Sequence, residues 1–574
     1  MAINKEIAAI FYAIADLLDL QGVEWKPIAF RKAARTLENY SEPMDKIVKA
    51  KGIKGVMELP GIGEGIGKKI VQYVEEGKID EYEELKKEIP AGVRLMLNVP
   101  GMGPKKAARL YKELKIDSLE KLEAFAKEGK IRALSGFGEK SEQDILMGLE
   151  LVKKGQERKL MGIILPYARE LAKKINSIPG VQRVELAGSL RRRRETVKDI
   201  DILALAKDGK KVMDAFVKLP DVEKVVSKGD TKTAVILKMG LNCDLRVLSP
   251  EVYGAGLVHF TGSKEHNVAL RMLAIKKGMK LDEYGLFDNK SGKNLACKNE
   301  EDVYARLGMQ YIPPEMRENT GEIELAQQKK IPELIGYDAI HGDLHTHTNW
   351  SDGANTTEEM VVRAVELGYD YYAITDHSKS DVIANGLNEK RVKEHFKEID
   401  ALQKKFPQIQ LLKGAEVAIL SNGKLDYGAE TLKEMDIVVG SIHSGFKTPP
   451  KEMTKRLLTA MENEYLTFLG HPTGRLLNQR NPYEYDIEKI LETAASNRIA
   501  VEVNAFPSRM DFDADHIRLA LQKKVKLVIN TDSHSTQNLD FMEFGIAQAR
   551  RGWAKKEDVL NALPWKAFQR EVLR

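Results

Sequence analysis

The sequence predicts a multidomain chain whose fold class changes along its length: all-α hairpin domains first, then an α+β domain, then a distorted α/β barrel. Three observations predict it. Residues 1 to about 155 place apolar residues at helical spacing, as in Ile7, Ile10, Phe11, Ile14, Leu17 and Leu18, between glycine-rich turns. From about residue 180 short β-rich runs appear, among them Asp199-Ile-Asp-Ile-Leu, Thr233-Ala-Val-Ile-Leu and Cys243-Asp-Leu-Arg-Val. From His341 onward strand-like runs alternate with helical ones. A length of 574 residues suggests about three to five domains.

Composition narrows the class. With 43% hydrophobic and 30% charged residues, the chain has apolar material for several cores. A net charge of +5 is small for this size, so a nucleic-acid partner must be argued from local clusters. Cys243 and Cys297 form no CxxC pair, so neither a disulfide framework nor a thiolate metal site is expected. The N-terminus reads as a charged amphipathic helix, and no run of about 18 apolar residues occurs. The expectation is a cytoplasmic protein without a membrane span, associated with the nucleoid while it works on DNA.

In the helical region, Leu59-Pro-Gly-Ile-Gly-Glu-Gly-Ile-Gly-Lys-Lys and Val99-Pro-Gly-Met-Gly-Pro-Lys-Lys share one design, and Leu134-Ser-Gly-Phe-Gly-Glu-Lys is a looser copy. Gly61, Gly63, Gly101 and Gly103 let the backbone approach a partner closely. The helix start that follows offers free N–H groups to an anion, and Lys68 and Lys105 add charge. This is the helix-hairpin-helix device for gripping a DNA phosphate backbone without reading its sequence. A single copy is as well explained by a structural αα-hairpin; repetition favours DNA.

The densest chemistry of the first half is Gly188-Ser-Leu-Arg-Arg-Arg-Arg-Glu-Thr-Val-Lys-Asp199-Ile-Asp201. Asp199 and Asp201 are two apart in a strand, so they share a face and repel unless a cation sits between them. Asp244, in a neighbouring strand, adds a third carboxylate. Three carboxylates around two divalent cations form a clamp for in-line phosphoryl transfer. The arginine run, taken alone, reads as a solvated face.

These residues resemble the nucleotidyltransferase signature of family X DNA polymerases. The resemblance implies a palm in which Asp199, Asp201 and Asp244 hold two Mg²⁺ or Mn²⁺ ions, with Asp244 nearest the primer 3′-hydroxyl. It implies that Gly188, Ser189 and Arg192 hold the nucleotide phosphates. His259-Phe-Thr-Gly-Ser-Lys-Glu-His-Asn267 resembles the family's nucleotide-binding segment, with His259 where the family has Tyr. Phe260 and Gly262 are then expected against the sugar, Asn267 at the minor-groove side of the base pair and Arg271 near the template. The first 85 residues resemble the family's small lyase domain. Lys69 aligns with its Schiff-base nucleophile and Lys26 with a 5′-phosphate-binding lysine, while Gly65 and Phe30 depart from the lyase-active pattern. Lyase chemistry and plain 5′-phosphate binding are both open readings.

Nine of the eleven histidines lie after residue 340. His345 and His347, Asp352, His377, Glu416, His443, His471, and Asp532 with His534 mostly follow apolar strand-like runs. From His345 the steps to His377, Glu416, His443, His471 and Asp532 are 32, 39, 27, 28 and 61 residues, close to one βα unit each with one strand, Val501-Glu-Val-Asn, in the long gap. Each strand end thus delivers ligands to one barrel face. Imidazole and carboxylate without thiolate suit Zn²⁺, Mn²⁺ or Fe. His395 and His516 lie in helical patterns and are read as ordinary packing residues, and Asp376 and Glu502 as supports of the ligands. The motifs resemble the PHP (polymerase and histidinol phosphatase) family over 338–574. The resemblance implies three metals: one on His345, His347, Glu416 and Asp532, one on Asp352, His377 and His534, and one on Glu416, His443 and His471.

The expected domains are a lyase-like hairpin domain (1–85), a fingers-type helical domain (86–157), the palm (158–250), a thumb for nucleotide selection (251–317), a polar connector (318–337) and the PHP domain (338–574). The expected function is gap-filling, template-directed DNA synthesis by a bacterial or archaeal-type family X polymerase. A PHP 3′–5′ exonuclease would process 3′ ends, with abasic endonuclease activity as a variant. The expected partners are gapped or primer-template DNA and deoxynucleoside triphosphates, bound by a monomer. A small-molecule phosphatase tethered to a DNA-binding arm, and a non-catalytic scaffold, are the alternatives.

Overall fold

A computed structural model describes residues 2–38, 40, 43–97, 99 and 102–573. The chain divides into two compact units, one built on residues up to 156 and one on those from 157 onward.

The first unit is helical. Ala2–Gln21 packs along Lys26–Glu38, with Phe11 edge-on to Phe30 at 5.3 Å. Its glycine hairpins share one turn. Ile62, Met102 and Phe137 each donate their N–H to the carbonyl three residues earlier, of Leu59, Val99 and Leu134, and each is buried. The third, looser copy therefore folds as the first two do. In each, an apolar residue between two glycines anchors the turn in the core, while Gly61, Gly63, Gly103, Gly136 and Gly138 stay outside. Gly63 and Gly103 cap the helices Glu64–Glu76 and Pro104–Leu114 without a side chain, so the first N–H groups of both helices lack a side-chain cap. Gly61 takes φ 77°, and a Cβ there would press on the Lys32 side chain at 2.8 Å. Gly101 lies outside the described residues.

The second unit begins with a five-stranded mixed sheet. Its strands are β1 (Val181–Leu186), β2 (Asp199–Ala206), β3 (Val222–Lys228), β4 (Lys232–Leu237) and β5 (Asn242–Leu248), in the order β1-β2-β5-β4-β3. Only β2 and β5 pair in parallel. The helix Met161–Asn176 covers one face through Ile164, Leu165, Ala168, Leu171 and Ile175. A small domain follows, with helices Tyr253–Thr261 and Lys264–Lys276 packed on a two-stranded hairpin. The stretch 318–337 is more than a polar connector. It carries the helix Glu322–Gln327, and its Ile323, Ala326, Ile331 and Leu334 pack into the small domain's core.

Seven parallel strands then run in sequence order: β6 (Gly342–Asp343), β7 (Tyr371–Ile374), β8 (Gln410–Ala418), β9 (Ile437–Ser441), β10 (Phe468–Leu469), β11 (Ala500–Asn504) and β12 (Leu527–Asn530). A bridge between Thr346 and Ser533 joins the first strand end to the last, which makes the distorted barrel nearly closed. The strands are buried on both faces, which explains their continuous apolar runs. Tyr371, Ala373, Ile437, Val439, Phe468 and Val528 fill the interior. Phe568, from the C-terminal helix Trp565–Val572, plugs the strand N-termini and stacks on Tyr371 at 4.3 Å. With that end filled, the C-terminal end is left for chemistry.

Ion pairs lock the sheet domain to the barrel. Arg169 donates two hydrogen bonds to Glu543, at 2.8 and 2.7 Å. Arg551 donates to the Arg192 carbonyl and to Glu318, and Arg550 to Glu315. Glu195 accepts from Gln548 at 3.0 Å and lies 3.6 Å from Arg475. Burial pushes the Glu195 carboxyl up, but Arg551, Arg475 and Arg194 outweigh burial and hold it down at about 2. A depressed carboxyl contributes stability that is present above its unfolded value of about 4.3 and is lost as pH falls toward 2. Glu195→Gln is therefore expected to lower stability at pH 7 by on the order of 2 kcal/mol and to flatten the loss between pH 5 and 2. Calorimetric Tm values across that range check it; an unchanged acid profile refutes it.

Candidate active sites

The first centre lies on the parallel pair of the mixed sheet. Register sets Asp201 opposite Asp244 and Asp199 opposite Asn242, so the three carboxylates crowd one face. Burial, then the charges of Asp199 and Asp244, push the Asp201 carboxyl up to about 7. The nearest counter-charge to Asp244 is Lys232, at 3.2 Å. The turn before β2 is pressed onto this cluster. Gly188 takes φ 56°, a Cβ there would lie 2.2 Å from Asp201 Oδ2, and the Ala187 N–H donates to the Asp201 carbonyl at 2.8 Å. Only glycine meets both demands.

A cavity of about 640 Å³ opens beside the carboxylates, and Gly188, Ser189, Arg192, Asp199, Asp201, Phe260 and Gly262 all line it. Asn267 and Arg271 stand on the adjoining helix instead. The Asn267 amide donates to the His259 carbonyl at 2.6 Å, and Arg271 is exposed. The arginine run is not a solvated face. Arg191 donates two hydrogen bonds to Glu300, at 2.9 and 2.6 Å, and Arg192 donates to Glu318 and to the Thr261 carbonyl. Acceptors some 70 to 126 residues away in sequence bury these guanidinium groups, and no local pattern announces them.

The second centre fills the open end of the barrel. Period-two alternation carries Ile437 and Val439 inward and then His443, and likewise Leu412 and then Glu416. His471 breaks this rule. Phe468 points inward, so His471 would point out, but φ 27° at His471 turns it into the cluster. Asp532 is held at φ 54°. Such strained backbone at ligand positions persists because the barrel over-determines it.

His345, His347 and Asp532 form one group, His347, Asp352, His377 and His534 a second, and Glu416, His443 and His471 a third. All nine expected positions are thus brought together. Glu416 is the hub, 2.8 Å from His471, 2.9 Å from His443 and His377, and 3.4 and 3.5 Å from His345 and His347. The donors suit a cation. The fully buried ring nitrogens His345 Nε2 and His347 Nε2 have carboxylates nearby but make no hydrogen bond of sound geometry. Burial and then His534 and His377 hold the His347 ring down at about 4. A neutral imidazole among ionised carboxylates is the ligand form that a metal takes.

Behind the cluster, Glu502 lies 2.8 Å from His345 Nδ1, which leaves Nε2 facing inward, and accepts from the His471 N–H. Asp376 accepts from Thr348 and Ser351 and so shapes the turn leading to Asp352. His395 stacks on Trp350 at 4.7 Å, and His516 stacks on Phe512 with its Nδ1 2.8 Å from Asp513. Two neighbours carried no signal in the sequence. Asp381 lies 3.2 Å from His443 Nδ1, and Arg509 Nε lies 3.1 Å from Asp532. Both sit on irregular loops, where periodicity has nothing to say.

In the first unit Lys26 and Lys69 converge on one carboxylate, Glu81, at 2.6 and 2.8 Å. Lys68 pairs with Glu64 one turn into the helix Glu64–Glu76, and Lys105 is exposed on the first turn of Pro104–Leu114.

Comparison with known proteins gives these geometries a context. Helix-hairpin-helix families match residues 2–79 and, as a SAM-like tandem, 93–150. The DNA polymerase beta thumb family matches 256–318 and the PHP domain family 343–506. The chain is 41% identical over 562 residues to the DNA polymerase/3′-5′ exonuclease PolX of Bacillus subtilis (strain 168), covering 97% of both chains. It is 25% identical over 343 residues to DNA polymerase lambda of Rattus norvegicus, covering 55% of this chain and 56% of that one. Over 202 residues, 33% of this chain, it is 30% identical to a protein of Acetivibrio thermocellus named "Probable phosphatase", 78% of whose length is covered.

The barrel cluster is expected to retain divalent metal through purification. Elemental analysis should find Zn, Mn or Fe in the wild type and a loss of at least one ion per chain in Glu416→Gln, whose side chain serves more than one group; equal metal content in the two proteins refutes the assignment.

Proposed function

The chain belongs to the PolX family, DNA polymerases of family X joined to a PHP-domain 3′–5′ exonuclease, and from that premise we propose how its residues divide the work. One observation carries the proposal: a crowded carboxylate face beside a forced glycine turn, and nine metal-type donors on one barrel face, occur in the same chain. In this reading Asp199, Asp201 and Asp244 serve template-directed extension, and the barrel cluster removes nucleotides from 3′ ends. The substrates are gapped or primer-template DNA and deoxynucleoside triphosphates, and the working species is a monomer.

In the palm, two Mg²⁺ or Mn²⁺ ions held by the three aspartates would supply the charge that phosphoryl transfer needs. Ser189 and Arg192 grip the triphosphate from the turn that Gly188 makes possible. Phe260 and Gly262 border the sugar, and Asn267 and Arg271 lie along the side where base pair and template pass. Arg246, whose guanidinium stacks on Phe260 at 4.3 Å, stiffens that wall. Asp244, opposite Asp201, stands nearest the primer 3′-hydroxyl.

In the barrel, Zn²⁺, Mn²⁺ or Fe held by His345, His347, Asp352, His377, Glu416, His443, His471, Asp532 and His534 would supply Lewis acidity and an activated water for hydrolysis. Glu502 keeps His345 turned toward the cluster, and Asp381 does the same for His443. The hairpin glycines Gly61, Gly63, Gly101 and Gly103, with Lys68 and Lys105, hold the DNA backbone.

For Lys26 and Lys69 the geometry favours phosphate binding over lyase chemistry. Both side chains reach the one carboxylate of Glu81, at 2.6 and 2.8 Å, which holds the two basic groups side by side as a phosphate grip requires and engages the Lys69 nitrogen that an imine would need free. Borohydride is therefore expected to trap no covalent adduct with DNA bearing a 5′-deoxyribose phosphate. Lys26→Ala with Lys69→Ala should weaken binding to a 5′-phosphorylated gap roughly 10-fold, and a trapped adduct lost in Lys69→Ala would reverse this reading.

Primer extension and 3′ degradation on gapped DNA with Mn²⁺ test the division of labour. Asp199→Ala with Asp201→Ala should lose extension by more than roughly 100-fold and keep degradation. His345→Ala should do the opposite. If both activities survive both changes, the division is wrong. If only a small phosphomonoester is hydrolysed, the tethered-phosphatase reading replaces it.

A further inference from the structure

Arg509 approaches the barrel cluster from outside the ligand set. Its Nε lies 3.1 Å from Asp532 Oδ2, and 22% of its side chain stays exposed at the mouth. A guanidinium beside a cluster that gathers divalent cations gains attraction from Asp532 but meets like charge beyond it. A negatively charged group lying between the guanidinium and the cluster resolves that conflict. A phosphodiester fits, because its two free oxygens match the planar fork of an arginine.

The barrel alone does not hold the loop that carries Arg509. Arg475 Nε donates to the Arg509 carbonyl at 3.0 Å, its Nη2 bonds the Met510 carbonyl and faces Glu195 of the palm at 3.6 Å, and its Nη1 lies 3.5 Å from Asp513. Met510 is fully buried in the palm's core cluster. Pro507 abuts Gly162 of the palm helix so closely that a Cβ at Gly162 would lie 2.6 Å from Pro507 Cβ. Arg509 is therefore fixed between a metal ligand on one side and the palm on the other.

We propose that Arg509 binds the scissile phosphodiester of the exonuclease, and that Glu195 of the palm positions it through Arg475. The palm is then a structural part of the nuclease site. Fixing a charged group before substrate arrives removes the ordering cost at the moment of reaction. This rests on the reading of the barrel as a 3′–5′ exonuclease.

The test measures 3′ degradation of a single-stranded overhang at steady state. It also measures binding of a phosphorothioate-terminated oligonucleotide, metal content, and primer extension as the fold control. Arg509→Met is expected to raise KM and weaken oligonucleotide binding by roughly 10-fold or more, with metal content and extension kept. Arg509→Lys should recover part of the binding. Glu195→Gln and Arg475→Lys should each raise KM less, roughly 3-fold, and add nothing in the Arg509→Met background. Wild-type KM and binding in Arg509→Met, or loss of metal from it, overturns the phosphate assignment. Full additivity of Glu195→Gln and Arg475→Lys with Arg509→Met overturns the palm's role. His345→Ala keeps the two levels apart: degradation surviving in that variant defeats the exonuclease reading itself. An inactive His345→Ala beside an unaffected Arg509→Met defeats only this inference.

Discussion

Asp201 faces Asp244 across adjacent parallel strands with Asp199 two residues away, and Glu416 stands at the hub of a buried histidine cage with Asp352 and Asp532 at its edges. Carboxylates forced together repel, and burial multiplies the cost. The aspartate face does not balance its charge within itself and needs a rigid frame and a cation, whereas in the barrel the histidines around Glu416 and Asp532 offset their charge and the frame fixes the donors. The mixed sheet frames the first through strand register, and the barrel frames the second through strand ends that converge on one mouth. The positive φ of His471 and Asp532 shows how far the backbone is bent to meet that demand.

The arginines of the phosphate turn extend this logic between domains. Arg191 and Arg192 reach Glu300, Glu318 and the Thr261 carbonyl, so the turn that faces the cavity beside the aspartates also ties the mixed sheet to the small domain that follows it. Arg551 and Arg475 of the barrel close on the same segment from the other side, at the Arg192 carbonyl and at Glu195. Buried ion pairs of this kind add little net stability, because desolvation offsets attraction. What they provide is position. A charged group with several buried partners has one place to be, and the turn beside the aspartates is held in that way. The same fixity passes through Arg475 to the loop that carries Arg509.

Much of this was legible in the chain. Nine metal-type donors recur at βα spacing because a barrel repeats its strand ends, and Asp-x-Asp shares a face because strands alternate. The hairpin turns were legible for the same reason, down to the loose third copy, where Phe137 does what Ile62 and Met102 do. The arginine run misled, because its exposure depends on acceptors in another domain. Residues 318–337 read as a polar connector because the apolar residues that anchor it, Ile323, Ala326, Ile331 and Leu334, are scattered among Glu, Gln and Lys. Gly101, a predicted DNA contact, lies outside the described residues.

The sequence by itself determined which carboxylates and imidazoles gather at the two centres. Local periodicity, fixed by the geometry of helices and strands, decides which side chains share a face, and the ligand types restrict what they hold. Only the tertiary structure decided what surrounds them: Glu81 between two lysines, Asp381 behind His443, His471 turned inward against alternation, and Arg509 against Asp532. These contacts join residues on loops or far apart in sequence. Their positions follow from how whole domains pack, and no periodic pattern encodes that.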